Sequence, residues 1–318
     1  MDSQEIFRGR LILKKSLPKP SGLVKLNIKN MKTSIGILFA FMAMVVGGVH
    51  GQGLYVKLGG GYGMPLATQS VGENYKQVND YTGATPVYTF SSENVKGSYG
   101  AGMNGRLTFG YMFSEFMGLE IGVDYLSGKK IETRDEDIDL FQGSTGITRT
   151  VVTKNSKGLF FHPTLVFAKG TGTYPYGKVG IVAGFPSISE TRDYYYDGDG
   201  VDIINMEGKY SGGMAMGFMA GFGMNFKITD KLSAFAEINF TSLSYYQKEY
   251  EVTKFIHNGQ DVLGQVPVNQ KKVLYKDKID PTVWDPNQPT QTLKEENAFS
   301  SISLQGGIKY TLFVGWGN

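Results

Sequence analysis

Apolar and polar side chains alternate strictly near the end of the chain, in the stretch SISLQGGIKYTLF at residues 301–313. Because the side chains of a β-strand point to opposite faces with a period of two, the two faces of this segment meet different environments. The stretch therefore predicts a strand with one apolar and one polar neighbour. Its apolar positions are Ile302, Leu304, Ile308, Tyr310 and Leu312.

Seven earlier segments show the same alternation, and the connections between the eight segments alternate in length. These segments are 53–66, 101–113, 117–126, 158–169, 176–185, 212–228 and 232–243. The long, polar connections follow the odd-numbered segments, at residues 67–97, 128–152, 187–208 and 246–298. Outer-membrane barrels combine long extracellular loops at one end with tight periplasmic turns at the other. The pattern predicts an all-β fold, an eight-stranded antiparallel up-and-down transmembrane β-barrel with four long extracellular loops.

In each strand the side chains form an apolar row and a polar row, and the size of the side chains predicts which row faces lipid. The apolar rows carry Phe, Met, Leu and Tyr, whereas the polar rows carry glycines and charges. The interior of an eight-stranded barrel is just wide enough for side chains to fill, and a Lys or Arg facing mid-membrane lipid costs about 2–4 kcal/mol. The polar rows are therefore predicted to line a plugged lumen, and the last strand to close on the first, because lipid tolerates no open edge. The predicted lumen charge network consists of Lys57, Arg106, Glu120, Asp124, Lys178, Glu237 and Lys309.

The N-terminal part of the chain reads as a leader. Residues 31–51 combine a short positive region at Lys32, an apolar run and small residues before a cleavage site, as in a secretory signal peptide. We predict that Met31 is the true start, that residues 1–30 are a mistranslated upstream extension, and that residues 52–318 form the outer-membrane barrel. Without the leader the chain has 27 acidic and 24 basic residues. This balance gives no case for nucleic-acid binding.

Composition limits the chemistry. The 318 residues include 43 glycines, 20 Phe and 19 Tyr, which favours many closely packed strands. There is no cysteine and there are only three histidines, so neither disulfides nor thiolate metal sites are available. No catalytic, cofactor-binding or metal-binding residues are predicted.

Three stretches carry a resemblance to a known family. These are GLYVKLGGGYG at 53–63, KLSAFAEINF at 231–240 and GGIKYTLF at 306–313. Together with the leader they resemble the small outer-membrane β-barrel domain family, or porin family, that includes the OmpA transmembrane domain, OmpX and OmpW. The resemblance implies export through the periplasm to the outer membrane of a Gram-negative bacterium. It also implies insertion by the barrel-assembly machinery, contacts with outer-membrane lipids and lipopolysaccharide, and a monomer.

The functional alternatives are a structural or loop-binding role, a narrow passive channel for small solutes, and a lipid-modifying enzyme. We expect the first. The fourth long connection contains Trp284, a candidate for binding an extracellular ligand, since exposed tryptophans often anchor partners. The enzyme hypothesis depends on His162 and Thr164, which share one face of a predicted strand. That face is the predicted lumen, where acyl chains do not reach, so we do not expect catalysis there.

Overall fold

The computed structural model describes residues 53–66, 69–170, 172–198, 200–279 and 285–314, which belong to one compact unit, His50–Asn318. The predicted upstream extension and signal peptide lie outside the described residues. So does Trp284.

The described residues form a single sheet of 17 β-strands. The strands are β1 (Gly53–Pro65), β2 (Gln69–Asp80), β3 (Val87–Gly97), β4 (Gly102–Met112), β5 (Met117–Gly128), β6 (Ile131–Phe141), β7 (Ser144–Ala168), β8 (Tyr174–Asp197), β9 (Val201–Ser211), β10 (Ala215–Lys227), β11 (Leu232–Tyr246), β12 (Glu249–His257), β13 (Gln260–Asp261), β14 (Lys272–Lys276), β15 (Thr290–Leu293), β16 (Glu296–Ala298) and β17 (Ser301–Val314). A 3-10 turn (Leu263–Gln265) and a short helix, α1 (Val268–Lys271), interrupt the fourth long connection. None of the helices in the described part of the chain has the length and apolarity to cross a membrane.

Eight of these strands pair antiparallel in a cycle, and we call them the ring strands. In order they are β1, β4, β5, β7, β8, β10, β11 and β17. The cycle is completed where β17 pairs with β1 along its whole length, from Pro65 opposite Ser301 to Gly53 opposite Val314. Each predicted alternating segment overlaps a different ring strand.

The prediction of an eight-stranded barrel with four long loops is wrong. The sheet described here has 17 strands, and the connections predicted as loops contain strands of their own. Two ring strands are also far longer than predicted, with 25 residues in β7 and 24 in β8. Their outer parts, 144–157 and 186–197, pair with β6 and β9 and carry the sheet beyond the ring. We call these outer parts, together with β2, β3, β6, β9 and β12–β16, the extension.

Pairing within the extension explains why the connections are not loops. Strand β2 pairs antiparallel with β3 and parallel with β6, while β12 pairs with β9 and β14. These ladders satisfy the backbone donors and acceptors that a polar loop would leave to water. The order across the extension is β3, β2, β6, β7, β8, β9, β12, β14 and β15.

The ring strands expose their apolar rows and bury their charged rows, in agreement with the predicted facing. Leu58, Phe222 and Leu304 are 58%, 57% and 61% exposed, whereas Lys57 and Glu237 are 4% and 2% exposed. On β8 the outward row turns polar after Phe185, with serines at 187 and 189. A continuous apolar band of this size is rare on the surface of a water-soluble monomer. The ring therefore requires a non-aqueous neighbour on its outside.

The interior is not filled by charges and glycines alone. A cluster of large apolar side chains packs on the inward rows, beside the extension. Phe299, which precedes β17, is 1% exposed and contacts the rings of Tyr99, Phe160 and Tyr245. The prediction that the polar rows alone line the lumen is therefore wrong at this depth. We call this cluster the apolar layer, and its members are Tyr99, Leu126, Phe160, Val182, Ile188, Ala215, Met219, Leu243, Tyr245 and Phe299.

Candidate functional site: the interior ion-pair network

The structure brings six of the seven predicted lumen charges into one connected set of ion pairs. They come from five ring strands, and we call them the network: Lys57 on β1, Arg106 on β4, Glu120 and Asp124 on β5, Lys178 on β8 and Glu237 on β11. Part of the pairing follows from register, because Arg106 lies directly opposite Asp124 in the ladder between β4 and β5. Directly opposed charges of opposite sign stabilise a pair of strands.

Glu237 is the centre of the network. Its Oε1 accepts hydrogen bonds from Lys57 Nζ at 3.2 Å and from the hydroxyl of Tyr176 at 2.6 Å. Its Oε2 accepts from Lys178 Nζ and lies 3.5 Å from Arg106 Nη1. A single carboxylate that is 2% exposed therefore contacts three cations. Burial of a charge is tolerated only with partners of this kind.

Glu120 forms the second acidic position, beside Lys57. Lys57 Nζ lies 2.6 Å from Glu120 Oε1, and the hydroxyl of Tyr55 donates to the same oxygen at 2.9 Å. The Lys57 ammonium also lies 4.3 Å from the centre of the Tyr176 ring. Lys57 is thus held by two carboxylates and an aromatic face, which together replace its lost hydration.

Asp124 links the network to the only histidine on a ring strand. Arg106 donates to it twice, from Nε at 2.6 Å and from Nη2 at 2.5 Å, in the bidentate geometry that guanidinium and carboxylate favour. His162 Nε2 lies 2.9 Å from Asp124 Oδ1. His162 Nδ1 and Thr164 Oγ1 have no hydrogen-bond partner among the described residues, and the two side chains are 2% and 1% exposed. Both side chains are therefore enclosed in the interior.

Glycines on the inward rows make room for these side chains. A Cβ on Gly110 would lie 2.1 Å from the Tyr55 ring, and one on Gly122 would lie 1.9 Å from the His162 ring. Real Cβ atoms do not approach other atoms so closely, so these two positions require glycine for space. The frequent glycine in the polar rows thus has a packing cause.

Two predicted site residues do not join the network. Lys309 Nζ donates to the hydroxyl of Tyr174 at 3.0 Å and lies 4.1 Å from the centre of the Tyr55 ring, so tyrosines surround it. Trp284 lies outside the described residues, and its candidate binding role stays a prediction.

The network itself contains three cations and three anions, which gives it no net charge.

A small cavity of about 50 Å³ separates the network from the apolar layer. Its polar wall includes Arg106, Asp124 and Gln305, and its apolar wall includes Leu126 and Phe299. A chain of amides continues this wall, since Asn239 donates to Gln305 at 3.1 Å and Gln305 donates to Asn104 at 2.8 Å. A space of this size accommodates only a few water molecules. At this depth the described side chains leave no wide opening.

A separate buried carboxylate, Glu190, lies in the extension, and the sequence analysis did not predict it. Glu190 on β8 is 2% exposed and accepts hydrogen bonds from the hydroxyls of Tyr210 at 2.9 Å and Tyr250 at 3.3 Å. Lys154 and Arg192 form ion pairs with it at 3.5 and 3.1 Å. Burial, followed by the nearby Glu190 charge, raises the pKa of Tyr210 and of Tyr250 above that of free tyrosine. Glu190 thus ties β8, β9 and β12 together above the ring.

No cluster of three or more potential metal-ligating side chains occurs within the described ranges. The interior site is composed of ion pairs, amides and tyrosines. Each charged side chain of the network contacts at least one side chain of opposite charge, which suits a rigid plug.

Comparisons with known proteins assign no family. No protein-family model matches the sequence, and no curated protein matches it. Among solved structures, the chain is similar to the outer membrane protein OprG from Pseudomonas aeruginosa, with a TM-score of 0.37 and 10% sequence identity. This similarity covers 83% of the present chain and 99% of OprG. A similarity at this level carries no conclusion about function, which has to rest on the residues of this chain.

Proposed function

We propose that this chain is an integral outer-membrane β-barrel protein that has no enzymatic activity and serves a structural or binding role through its extension. The observation that supports this proposal is the reversal of burial in the ring. Phe222 is 57% exposed on the outside while Glu237 is 2% exposed inside. In water this distribution would cost free energy twice, once for the exposed apolar band and once for the buried charges. In a bilayer only the second cost remains, and the ion pairs offset it.

The height of the apolar band supports a membrane location. On β8 the band runs over residues 175–185, before the outward row becomes polar. At about 3.3 Å per residue and a tilt of about 45°, these residues span about 25 Å across a membrane. The apolar band of outer-membrane barrels has about this height. The extension begins where this band ends, and we propose that it lies outside the bilayer on the extracellular side.

We further propose the finer assignment to the small outer-membrane barrels that resemble the OmpA transmembrane domain, OmpX and OmpW. In this assignment the barrel-assembly machinery inserts the chain, and the outward rows contact outer-membrane lipids and lipopolysaccharide. The complete pairing of β17 with β1 supports it, because a cyclic ladder leaves no ring edge to face lipid. The three sequence stretches that carry the resemblance all lie in ring strands.

The interior also bears on the alternative of a passive channel. The network and the apolar layer both occupy the inside of the ring, and the described cavity between them measures about 50 Å³. We therefore expect purified protein in a planar lipid bilayer to show no stable open level. Conductance would be recorded in about 1 M salt, with a known porin as positive control. Long-lived openings of uniform size would contradict the plugged interior and favour the channel.

One experiment on whole cells tests the membrane location and the topology together. The full chain would be expressed in a Gram-negative host, and the outer-membrane fraction would be washed with urea and alkaline carbonate. We expect the protein to resist extraction. We also expect protease added to intact cells to cut it in the extension, for example at the β8–β9 turn near Gly198, and to leave a membrane-embedded ring fragment. Extraction into the wash as a soluble protein would refute the proposal.

A further inference from the structure

Strand β3 is an unprotected edge of the extension. It pairs with β2 along its whole length, and it has no second partner strand among the described residues. Of its 11 residues, all but Val95 and Gly97 are exposed, so both faces as well as the outer edge lie open. An edge of this kind presents a row of unpaired backbone donors and acceptors, which is a template for another strand.

Few of the devices that usually block such edges occur in β3. The strand contains no proline and has one basic residue, Lys96, near its end. Its first half carries large apolar side chains: Val87, Tyr88 and Phe90 are 58%, 60% and 73% exposed. A long and partly apolar edge favours addition of a strand by backbone hydrogen bonds.

The sequence of β3 is complementary to itself when two copies run antiparallel. We propose that β3 pairs with the β3 strand of a second copy of this chain, with Ser92 opposite Ser92. In this register all 11 residues pair, and no charged residue meets a like charge. A two-fold symmetric contact of this kind is self-complementary, so each pair occurs twice. The opposed pairs are Lys96 with Tyr88, Val95 with Thr89, Asn94 with Phe90 and Glu93 with Ser91.

Membrane geometry decides where the second copy sits, and this step rests on the proposed function. Two antiparallel edges are related by a two-fold axis perpendicular to the sheet. In the wall of the ring the sheet normal points away from the ring axis, and β7 runs unbroken from this wall into the extension. The proposal extends this orientation to β3, so that the two-fold axis lies in the plane of the bilayer. Rotation about that axis turns one copy upside down. The paired copies must therefore lie in two facing membranes.

A single pair of edges is a small interface, so one contact binds weakly. Many copies in each membrane act together, however, and their combined strength can exceed that of one contact by a factor of about 10² to 10⁴. The structure thus predicts tethering between membranes that carry many copies, and little association between copies that share one membrane.

The test uses the purified full chain, without its leader, reconstituted in phosphatidylcholine vesicles of two fluorescent colours. Coincidence of the two colours in single particles measures tethering. Wild-type vesicles should tether. In the proposed register, Ser91→Glu places a glutamate opposite Glu93 of the second copy. The double variant Ser91→Lys/Glu93→Lys places a lysine opposite a lysine at the same positions. Vesicles that carry either variant alone should therefore tether no more than protein-free vesicles. A mixture of the two variant populations should tether again, because each glutamate then meets a lysine.

The control variant is Ser189→Glu, an exposed position on β8, which is paired on both sides. It should tether as well as the wild type. Flotation of each sample with its vesicles measures membrane insertion separately. Protein that does not float would refute the proposed function. Protein that floats but does not tether, or tethering that survives either charge variant alone, would overturn the pairing of β3 while leaving the proposed function intact.

Discussion

Replacement of Glu237 by glutamine should destabilise the ring more than any other single change in the network. The substitution keeps the shape of the side chain but leaves Lys57, Arg106 and Lys178 with two carboxylates instead of three. Removal of one partner from a buried ion pair costs about 3–5 kcal/mol, because the remaining charge stays buried without compensation. That is a large share of the 5–15 kcal/mol that holds a typical domain together. Urea titration of the protein refolded in lipid vesicles would measure the free energy of unfolding.

Two further variants separate the charge effect from a general loss of packing. Glu237→Gln combined with Lys178→Met restores a neutral interior and should recover part of the lost free energy. Glu207→Gln serves as the matched control, since Glu207 pairs with Lys254 at 3.0 Å on the surface of the extension, where both side chains are about half exposed. An exposed pair contributes about 0–1 kcal/mol. Equal losses for Glu237→Gln and Glu207→Gln would contradict the central role of Glu237.

The alternation of side chains predicted the facing of the ring strands because it is a local property of the backbone. An inward charge is flanked in sequence by outward apolar residues, as Lys57 is by Val56 and Leu58. Because side chains alternate between the two faces of a strand, the sequence predicts the face of the charge without knowledge of its partner. The partners themselves were not predictable. Lys57 pairs with Glu237, 180 residues away, and this contact depends on the stagger of five strands and on the length of each side chain.

The extension was missed because its pairing is not local. Residues 75–80 of β2 pair in parallel with 135–140 of β6, and no turn or alternation in either segment signals the other. One local signal was present. The outer half of β7 contains ITRTVVT at 147–153, and this run of β-branched residues favours a strand over a loop. The long polar connections looked like loops because both faces of a partly solvated strand carry polar side chains.

The apolar layer also left a trace in the sequence. Leu126 follows Tyr125 directly, and Phe160 lies between Leu159 and Phe161, so consecutive apolar residues interrupt the alternation at these two points. Where both rows are apolar, both faces of the strand meet apolar surroundings. The interruption therefore marks the depth at which the interior changes from ion pairs to apolar packing. Tyr55 and Tyr176 also occupy inward positions, but their hydroxyls donate to Glu120 and Glu237, so a tyrosine in the polar row can also belong to the network.

An arginine at Phe222 should cost about 2–4 kcal/mol of unfolding free energy in a lipid bilayer. Phe222 lies near the middle of β10 on the outward row, opposite Gly177 and Ile238 in the two neighbouring strands. It is 57% exposed, so the new guanidinium would meet the environment of the ring and not the interior. In hydrocarbon that charge loses its hydration. The quantity to measure is again the free energy of unfolding by urea, with the protein in phosphatidylcholine vesicles.

Val201→Arg provides a control with the same exposure. Val201 begins β9 in the extension and is also 57% exposed, yet the proposed topology places it in water. Its replacement should change the free energy of unfolding by less than about 0.5 kcal/mol. If the outside of the ring were solvated, the two arginines would behave alike, and Phe222→Arg would be neutral because it removes apolar surface from water. A clear penalty at Phe222 and none at Val201 can arise only when equal exposure means lipid at one site and water at the other.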